Sequence, residues 1–339
     1  MNNKHKGIGR REFVKNSSLA LISISLPWQN LELINQKKMT DTEFEVIIVG
    51  GSYSGLATAM ALGRALRKVL IIDSGKPCNR QTPHSHNFIT QDGKTPKQIS
   101  DLAAEQVKAY PTVHFLDDLV TDAKKSLNSF SISTANGDSF TAKRLVFATG
   151  IHDIMPEIEG FSDCWGISVL HCPYCHGYEV RKKTTGILGN GDFGFEFSRL
   201  ISNWTDNLSL YTNGASTLSK EETELLKSRN INIVETKIIR FEHIDGYVKN
   251  IHFQDGSQLA VDAIYARLPF KQHCTAPEKL GCKLNEKGYV VVDEMQKTTV
   301  EGVYACGDNT TKMRTVANAV AMGTNAGMML NKEYVLENF

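Results

Sequence analysis

Phe44-Glu45-Val46-Ile47-Ile48-Val49-Gly50-Gly51-Ser52-Tyr53-Ser54-Gly55 decides the fold. Its first six residues are a largely apolar, β-branched run, the composition of a buried parallel strand, and a glycine turn follows at once. Leu56 to Arg67 is rich in alanine and leucine and predicts a helix. Val69 to Ile72 predicts a second strand that ends on Asp73. Strand, glycine turn, helix, strand and acid, in this order, make a dinucleotide-binding unit. Gly50 allows the tight turn, and Gly55 allows close helix–strand packing. The free N–H groups and positive dipole end of the helix suit a pyrophosphate. Asp73 stands 23 residues beyond Gly50, where a carboxylate can accept from a ribose hydroxyl. Ser52 takes the place of the usual second glycine and is small enough to keep the turn.

The pattern then repeats. Gly75 to Gly93 reads as a loop, punctuated by Pro77, Asn79, Pro83 and Asn87, and its His84 and His86 read as solvated. Thr95 to Tyr110 predicts a helix. Val113 to Phe115, Ser129 to Thr134 and Ser139 to Thr141 predict strands around an Asn136-Gly137 turn. Arg144 to Ala148 predicts a buried strand ending at Thr149-Gly150. Thr185 to Leu188 is again strand-like, and Gly189-Asn190-Gly191-Asp192-Phe193-Gly194 is a full G-x-G-x-x-G. A helix over Phe195 to Asn203 and a strand over Asn207 to Tyr211 complete a second nucleotide-binding unit. The same offset that leads from Gly50 to Asp73 leads from Gly189 to Thr212. No acid stands there to hold a 2′-hydroxyl, and no arginine stands nearby for a 2′-phosphate. Glu221 to Arg229 predicts a helix, and Asn232 to Ile239, Arg240 to Ile244, Asn250 to Phe253 and Ala263 to Arg267 predict strands, with a turn at Asp255-Gly256. Gly302 to Asp308 is a strand ending in Gly307-Asp308, and Arg314 to Leu330 is a helix of small residues. The fold class is α/β, with two Rossmann-like, three-layer ββα domains.

Between the two units lies Cys172-Pro173-Tyr174-Cys175-His176-Gly177-Tyr178-Glu179. Two cysteines at this spacing can close a small disulfide and reopen it, and one thiol of such a pair often has a lowered pKa. The same residues fit half of a zinc site, but no second C-x-x-C or H-x-x-x-H supplies the remaining ligands, and no metal is expected. C-x-x-C-H also matches the covalent haem pattern. A plain buried pair near a turn is the third reading.

With 38 Lys+Arg against 37 Asp+Glu in 339 residues, the chain has no charge excess to suggest a nucleic-acid partner. Its length suits about two domains. Seven cysteines in a chain this long are not a disulfide scaffold, and Cys78, Cys164, Cys274, Cys282 and Cys306 read as packing residues. At the N-terminus, Arg10-Arg11-Glu12-Phe13-Val14-Lys15 precedes a moderately apolar run from Ser17 to Trp28. This resembles a twin-arginine export signal and is too short for a bilayer span, which takes about 20 apolar residues. No small-x-small cleavage site follows Leu26, and Met39 offers an alternative start. Export to the periplasm is expected, with a cytoplasmic location as the alternative.

From about Glu43 to Leu330 the order of motifs resembles the low-molecular-weight thioredoxin reductase family of flavoproteins: first glycine motif, Ala-Thr-Gly, C-x-x-C, second glycine motif, then Gly-x-x-x-x-Gly-Asp. Within it, Cys-Pro-Tyr-Cys-His-Gly-Tyr-Glu resembles a subgroup that includes FAD-dependent dithiol oxidases. Ordinary thioredoxin reductases carry Asp where this chain has His176. The resemblance implies FAD on Gly50, Gly51, Ser52, Ser54, Gly55, Asp73, Arg80, Asn87, Thr149, Gly150, Gly307 and Asp308, with Arg314, Thr315 and Val316 near the flavin ring. It implies a nicotinamide-nucleotide site at Gly189, Gly191 and Gly194, which the missing anchor at Thr212 leaves in question. It implies that Cys175 faces the flavin while Cys172 meets the external partner, a thioredoxin-like protein or a small dithiol. It also implies a homodimer and an inserted second domain: residues 1–40 form the N-terminal extension, 41–155 and 263–339 the FAD-binding domain, and 156–262 the NAD(P)-binding-like domain. With flavoprotein motifs on both sides of the cysteine pair, flavin rather than haem is the expected electron partner.

The expected activity is therefore two-electron exchange between the Cys172/Cys175 pair and FAD, in the direction of dithiol oxidation with oxygen or another acceptor. His176 is expected as the general acid–base, at its ordinary pKa near 6.5. Glu179, three residues on, is expected on the same helical face to orient the imidazole. Two other activities fit the motifs: an NAD(P)H-dependent thioredoxin-disulfide reductase, and a redox-sensing flavoprotein without turnover.

Overall fold

The computed structural model describes residues 42–339, and the N-terminal extension with its twin-arginine pattern lies outside the described residues. Glu43–Val49 is the middle of a parallel sheet, with Val69–Asp73 on one side and Ser139–Phe147 on the other. Val113–Asp117 continues the sheet past Val69–Asp73, and Val303–Ala305 joins Ser139–Phe147. Val46, Ile47 and Ile48 are wholly buried, as the uninterrupted apolar run requires. The crossover helix is Tyr53–Arg64, not Leu56 to Arg67. It starts earlier than expected, so Tyr53-Ser54-Gly55 form its first turn and the glycine motif is half turn, half helix.

Two strands differ from expectation for one reason. Ser139–Phe147 is a single strand, where Ser139–Thr141 and Arg144–Ala148 were expected as two. Its first half pairs antiparallel with Phe130–Thr134 and its second half pairs parallel with Val303–Ala305, so one strand serves two neighbours in succession. Val120–Lys125, unexpected from sequence, pairs antiparallel with Phe130–Thr134. Only Val120 and Ala123 of this edge strand are buried, and its polar residues conceal it.

The chain leaves this sheet through Ile151–Asp153 and returns through Phe270–Gln272, and the two segments pair antiparallel as a ribbon. Between them lies a second, all-parallel sheet in the order Asn232–Val234, Leu208–Tyr211, Thr185–Leu188, Ala263–Ala266, Val169–Leu170. A three-stranded antiparallel sheet of Ile238–Ile244, Tyr247–Phe253 and Gln258–Ala260 shares a core with it through Phe241, Phe253 and Tyr211. The run expected as Asn232 to Ile239 is broken, and Ile238–Ile244 is one strand. Asp245 and Gly246, at φ 50° and 80°, make the hairpin that follows it. Ala263–Ala266 pairs with Thr185–Leu188, so the domain boundary placed after residue 262 moves beyond that strand to the returning ribbon.

The last helix, Val316–Asn338, runs past the expected end at Leu330. It crosses the Tyr53–Arg64 helix closely because Gly323 carries no side chain: a Cβ there would lie 2.0 Å from the Ser54 carbonyl oxygen. The Thr58 hydroxyl, 2.9 Å from the Gly323 carbonyl, locks the crossing. No helix among the described residues is long and apolar enough to cross a membrane.

Candidate active site

The carboxyl ends of the first sheet open into a cavity of about 560 Å³, the place where open α/β sheets bind their ligands. Gly50, Gly51, Ser52 and Ser54 line it, with Asp73 at the end of the neighbouring strand. Gly50 adopts φ 105°, and a Cβ on it would fall 2.3 Å from the Ala148 carbonyl oxygen. Gly55 does not line the cavity; a Cβ there would meet the Gly50 oxygen at 1.9 Å. Its role is to seat the helix against the turn. That helix has no side-chain cap from Ser52 and no acid in its first turn. Its first N–H groups and its positive end are left for an anionic ligand.

Farther along the cavity lie Arg80, Thr149 and Gly150, then Asp308, Arg314, Thr315 and Val316. The Arg314 guanidinium donates to both oxygens of Asp153 at 2.8 Å, and its Nε lies 3.6 Å from Asp308. Burial pushes the Asp308 carboxyl up, and the Arg314 charge pulls it back. The Cys78 thiol lies 3.8 Å from the Asp308 carboxylate, whose charge disfavours its thiolate. Glycine turn, uncapped helix start, strand-end acid and half-buried Gly-Asp carboxylate together fit a dinucleotide such as FAD.

Asn87 is not part of this wall. It is exposed in a left-handed conformation, φ 59°, with its N–H held by Asp92. Ser85 and His86 line the cavity in its place. Gly307 also stands behind the wall, where a Cβ would strike Ser54 Oγ at 2.6 Å.

The cysteine pair closes the other end. Val169–Leu170, buried beside Ala263–Ala266, delivers the chain to Cys172. Cys172 caps a four-residue helix, Pro173–His176, and its Sγ accepts from the Cys175 N–H at 3.2 Å. The two are disulfide-bonded, with Cα atoms 5.3 Å apart. Cys175 and His176 line the cavity, whereas Cys172 and Glu179 do not. Burial, reinforced by His86, pushes the His176 imidazole down to about 4, not near 6.5 as expected from sequence. It is therefore neutral at physiological pH, and the same burial makes it a weaker proton acceptor than a free imidazole.

Glu179 does not orient His176. The helix gives way to turns after His176, and Glu179 instead meets His86, Oε1 to Nε2 at 3.7 Å. His86 also reaches Asp92 at 3.6 Å and sets its ring edge-on to His176, centroids 6.3 Å apart. His86 stands in a polar loop, and nothing local marks its place beside the cysteine pair, because Glu179 and His176 lie far along the chain.

His171 is also pushed down to about 4 by burial and the Arg314 charge. For both rings the folded value lies below the unfolded 6.5, so the unfolded chain binds more protons as pH falls from about 6.5 to 4. Their stabilisation is complete above that window and is lost through it, by about 2 kcal/mol per ring at pH 5. Denaturant unfolding at pH 7 and pH 5 is expected to show this loss, and His176→Gln is expected to shrink it; an unchanged difference would contradict the assignment.

The second glycine motif differs from the first. Asn190 caps its helix and accepts at Oδ1 from the Gly191 N–H and from Thr217 N–H and hydroxyl, at 2.8, 2.8 and 3.1 Å. Asp192 puts a negative charge in the first turn. The Phe193 ring lies over Gly189, 2.7 Å from where a Cβ would be, and Arg267 stacks on it at 4.4 Å. Thr212 is buried, and its hydroxyl donates to Gly214 at 2.7 Å. Gly189, Gly191 and Gly194 thus form a glycine turn whose helix start is capped by the chain's own Asn190.

The model of the family described as pyridine nucleotide-disulphide oxidoreductase matches residues 44–323. A thioredoxin reductase of Claviceps purpurea, tcpT, is 30% identical over 88% of this chain and 96% of its own length. The crystal structure of an oxidoreductase from Agrobacterium tumefaciens superposes with a TM-score of 0.81 at 35% identity, covering 87% of this chain and 99% of that one. A putative thioredoxin reductase of Bacillus anthracis superposes with a TM-score of 0.83 at 29% identity, covering 87% and 100%.

Proposed function

Since the chain belongs to the pyridine nucleotide-disulphide oxidoreductase family, as a thioredoxin reductase-like, FAD-dependent disulfide oxidoreductase, we propose that it works as a dithiol oxidase, passing electrons from a thiol substrate to oxygen or another acceptor. The observation that supports this direction is the second glycine motif, with a capped helix start, an acid in its first turn and no charged anchor at Thr212. A nicotinamide nucleotide would have to displace Asn190 from the Gly191 N–H, approach Asp192, and bind at Thr212 without an acidic or basic anchor.

The residues perform the steps as follows. A substrate thiolate attacks Cys172 Sγ and displaces Cys175 Sγ. The second substrate thiolate attacks the substrate sulfur of the mixed disulfide and displaces Cys172. The substrate leaves as a disulfide, and the enzyme pair is left as two thiols. Neutral His176, on the cavity wall beside Cys175, is placed to relay a proton released there. FAD, when bound, accepts the two electrons from this pair. Gly50 to Ser54 hold its pyrophosphate, and Asp73 and Asp308 its hydroxyls. With oxygen as acceptor, one dithiol and one O₂ give one disulfide and one H₂O₂.

The test is anaerobic flavin absorbance during titration with NADPH, with NADH, and with dithiothreitol. Bleaching by the dithiol alone, reversed by air with formation of hydrogen peroxide, is the expected result. Rapid bleaching by either nicotinamide would refute it in favour of a thioredoxin-disulfide reductase. Export through the twin-arginine pattern and assembly as a homodimer belong to the same proposal. Met328, Val335 and Leu336, exposed on one face of the last helix, support a contact with a second copy.

A further inference from the structure

His171 lines the cavity, half-buried, immediately before the cysteine pair, and the steps above leave it unused. Its Nε2 is screened from water and has no hydrogen-bond partner. A buried polar atom left in that condition is destabilising, so a partner is to be expected from what binds in the cavity.

The tautomer says which kind of partner. The Arg314 backbone favours the protonated ring while its guanidinium opposes it, so the backbone group facing His171 is the carbonyl. Nε2 is the unpartnered nitrogen, which leaves Nδ1 toward that carbonyl and makes Nδ1 the favoured place for the ring's proton. In the neutral ring Nε2 then holds only a lone pair. The carbonyl is itself well placed: Arg314 is anchored by the two-pronged bond to Asp153. The Trp165 ring, its centroid 6.1 Å from that of His171, packs beside it. Asp153, Arg314 and His171 form a line of support that ends in one unfilled acceptor. The oxidised isoalloxazine ring carries a single N–H donor, at N3. We propose that His171 Nε2 accepts a hydrogen bond from the N3–H of bound FAD, making His171 a positioning residue that sets the ring's register toward Cys175.

This rests on the FAD assignment and not on the direction of electron flow. Three preparations test it: the parent protein reconstituted with FAD, the parent reconstituted with N3-methyl-FAD, and His171→Leu reconstituted with FAD. The readouts are the dissociation constant and the visible spectrum of the oxidised flavin, neither of which requires turnover. N3-methylation is expected to weaken binding by about tenfold in the parent, with a band shift that His171→Leu reproduces. Methylation in the His171→Leu background is expected to add nothing, and His171→Gln, which keeps an acceptor, is expected to restore most of the affinity. Equal binding of FAD and N3-methyl-FAD by the parent overturns the proposal. So does a His171→Leu change that appears only after the cysteines are reduced, which would assign Nε2 to the Cys175 thiol. A parent that binds neither flavin overturns the FAD assignment with it.

Discussion

Cys175→Ser is expected to abolish flavin reduction by a dithiol, by at least about a thousandfold, while leaving FAD bound. Cys175 is the sulfur on the cavity wall, and Cys172, which caps the short helix, lies outside that wall. Without Cys175 a substrate thiol has no disulfide to attack, and no sulfur remains beside the flavin place to carry electrons. Anaerobic stopped-flow absorbance measures the step directly. Cys172→Ser separates the two sulfurs: it too is expected to stop turnover with the dithiol substrate, but it keeps a thiol at Cys175. Reduction of the Cys175→Ser flavin within tenfold of the parent rate would show that electrons bypass the pair.

Gly55→Val is expected to give protein that holds FAD roughly a hundredfold more weakly. Any Cβ at this position falls 1.9 Å from the Gly50 oxygen and 3.4 Å from the Ala148 Cβ. The turn and the helix must then separate, and separation moves the N–H groups that face the pyrophosphate. Flavin absorbance per chain after gel filtration reports the result, with circular dichroism to confirm a folded chain. Undiminished flavin would mean that the turn tolerates the shift and that other contacts dominate the affinity.

The nucleotide-binding units were legible because each is written in a contiguous stretch. Strand, turn, helix and acid from Phe44 to Asp73 obey local rules, and the structure departs from them only in starting the helix at Tyr53. The cysteine pair was legible for the same reason. What failed was reasoning that extended local periodicity past its support. Glu179 was expected beside His176 on a helix that ends at His176, and a Cβ on the next residue, Gly177, would press on the Pro173 oxygen at 2.5 Å and on Trp204 at 2.8 Å. Asn87 was assigned to the cofactor by resemblance alone, and its left-handed turn faces solvent. His86, His171 and Asp153 were missed because their partners are set by tertiary packing: Glu179, Arg314 and Arg314 lie 93, 143 and 161 residues away in sequence. The second glycine motif was half legible. Thr212 could be counted from Gly189, but the folding back of Asn190 onto Thr217 could not.

The paired segments Ile151–Asp153 and Phe270–Gln272 also bear on the order in which the protein comes into being. Everything between them can be synthesised and folded as one continuous stretch with mainly local pairings. The outer domain is divided: its first strands are made early, but Val303–Ala305 and the helix that lies across Ser54 and Thr58 are made last. Closing that contact joins segments some 260 residues apart, the slow kind of event in folding. A growing chain would therefore carry a finished interior module bearing its cysteine pair before any complete flavin cradle exists. Until the final helix docks, those two thiols have no cofactor to regulate their oxidation, and they are most open to oxidation by other means.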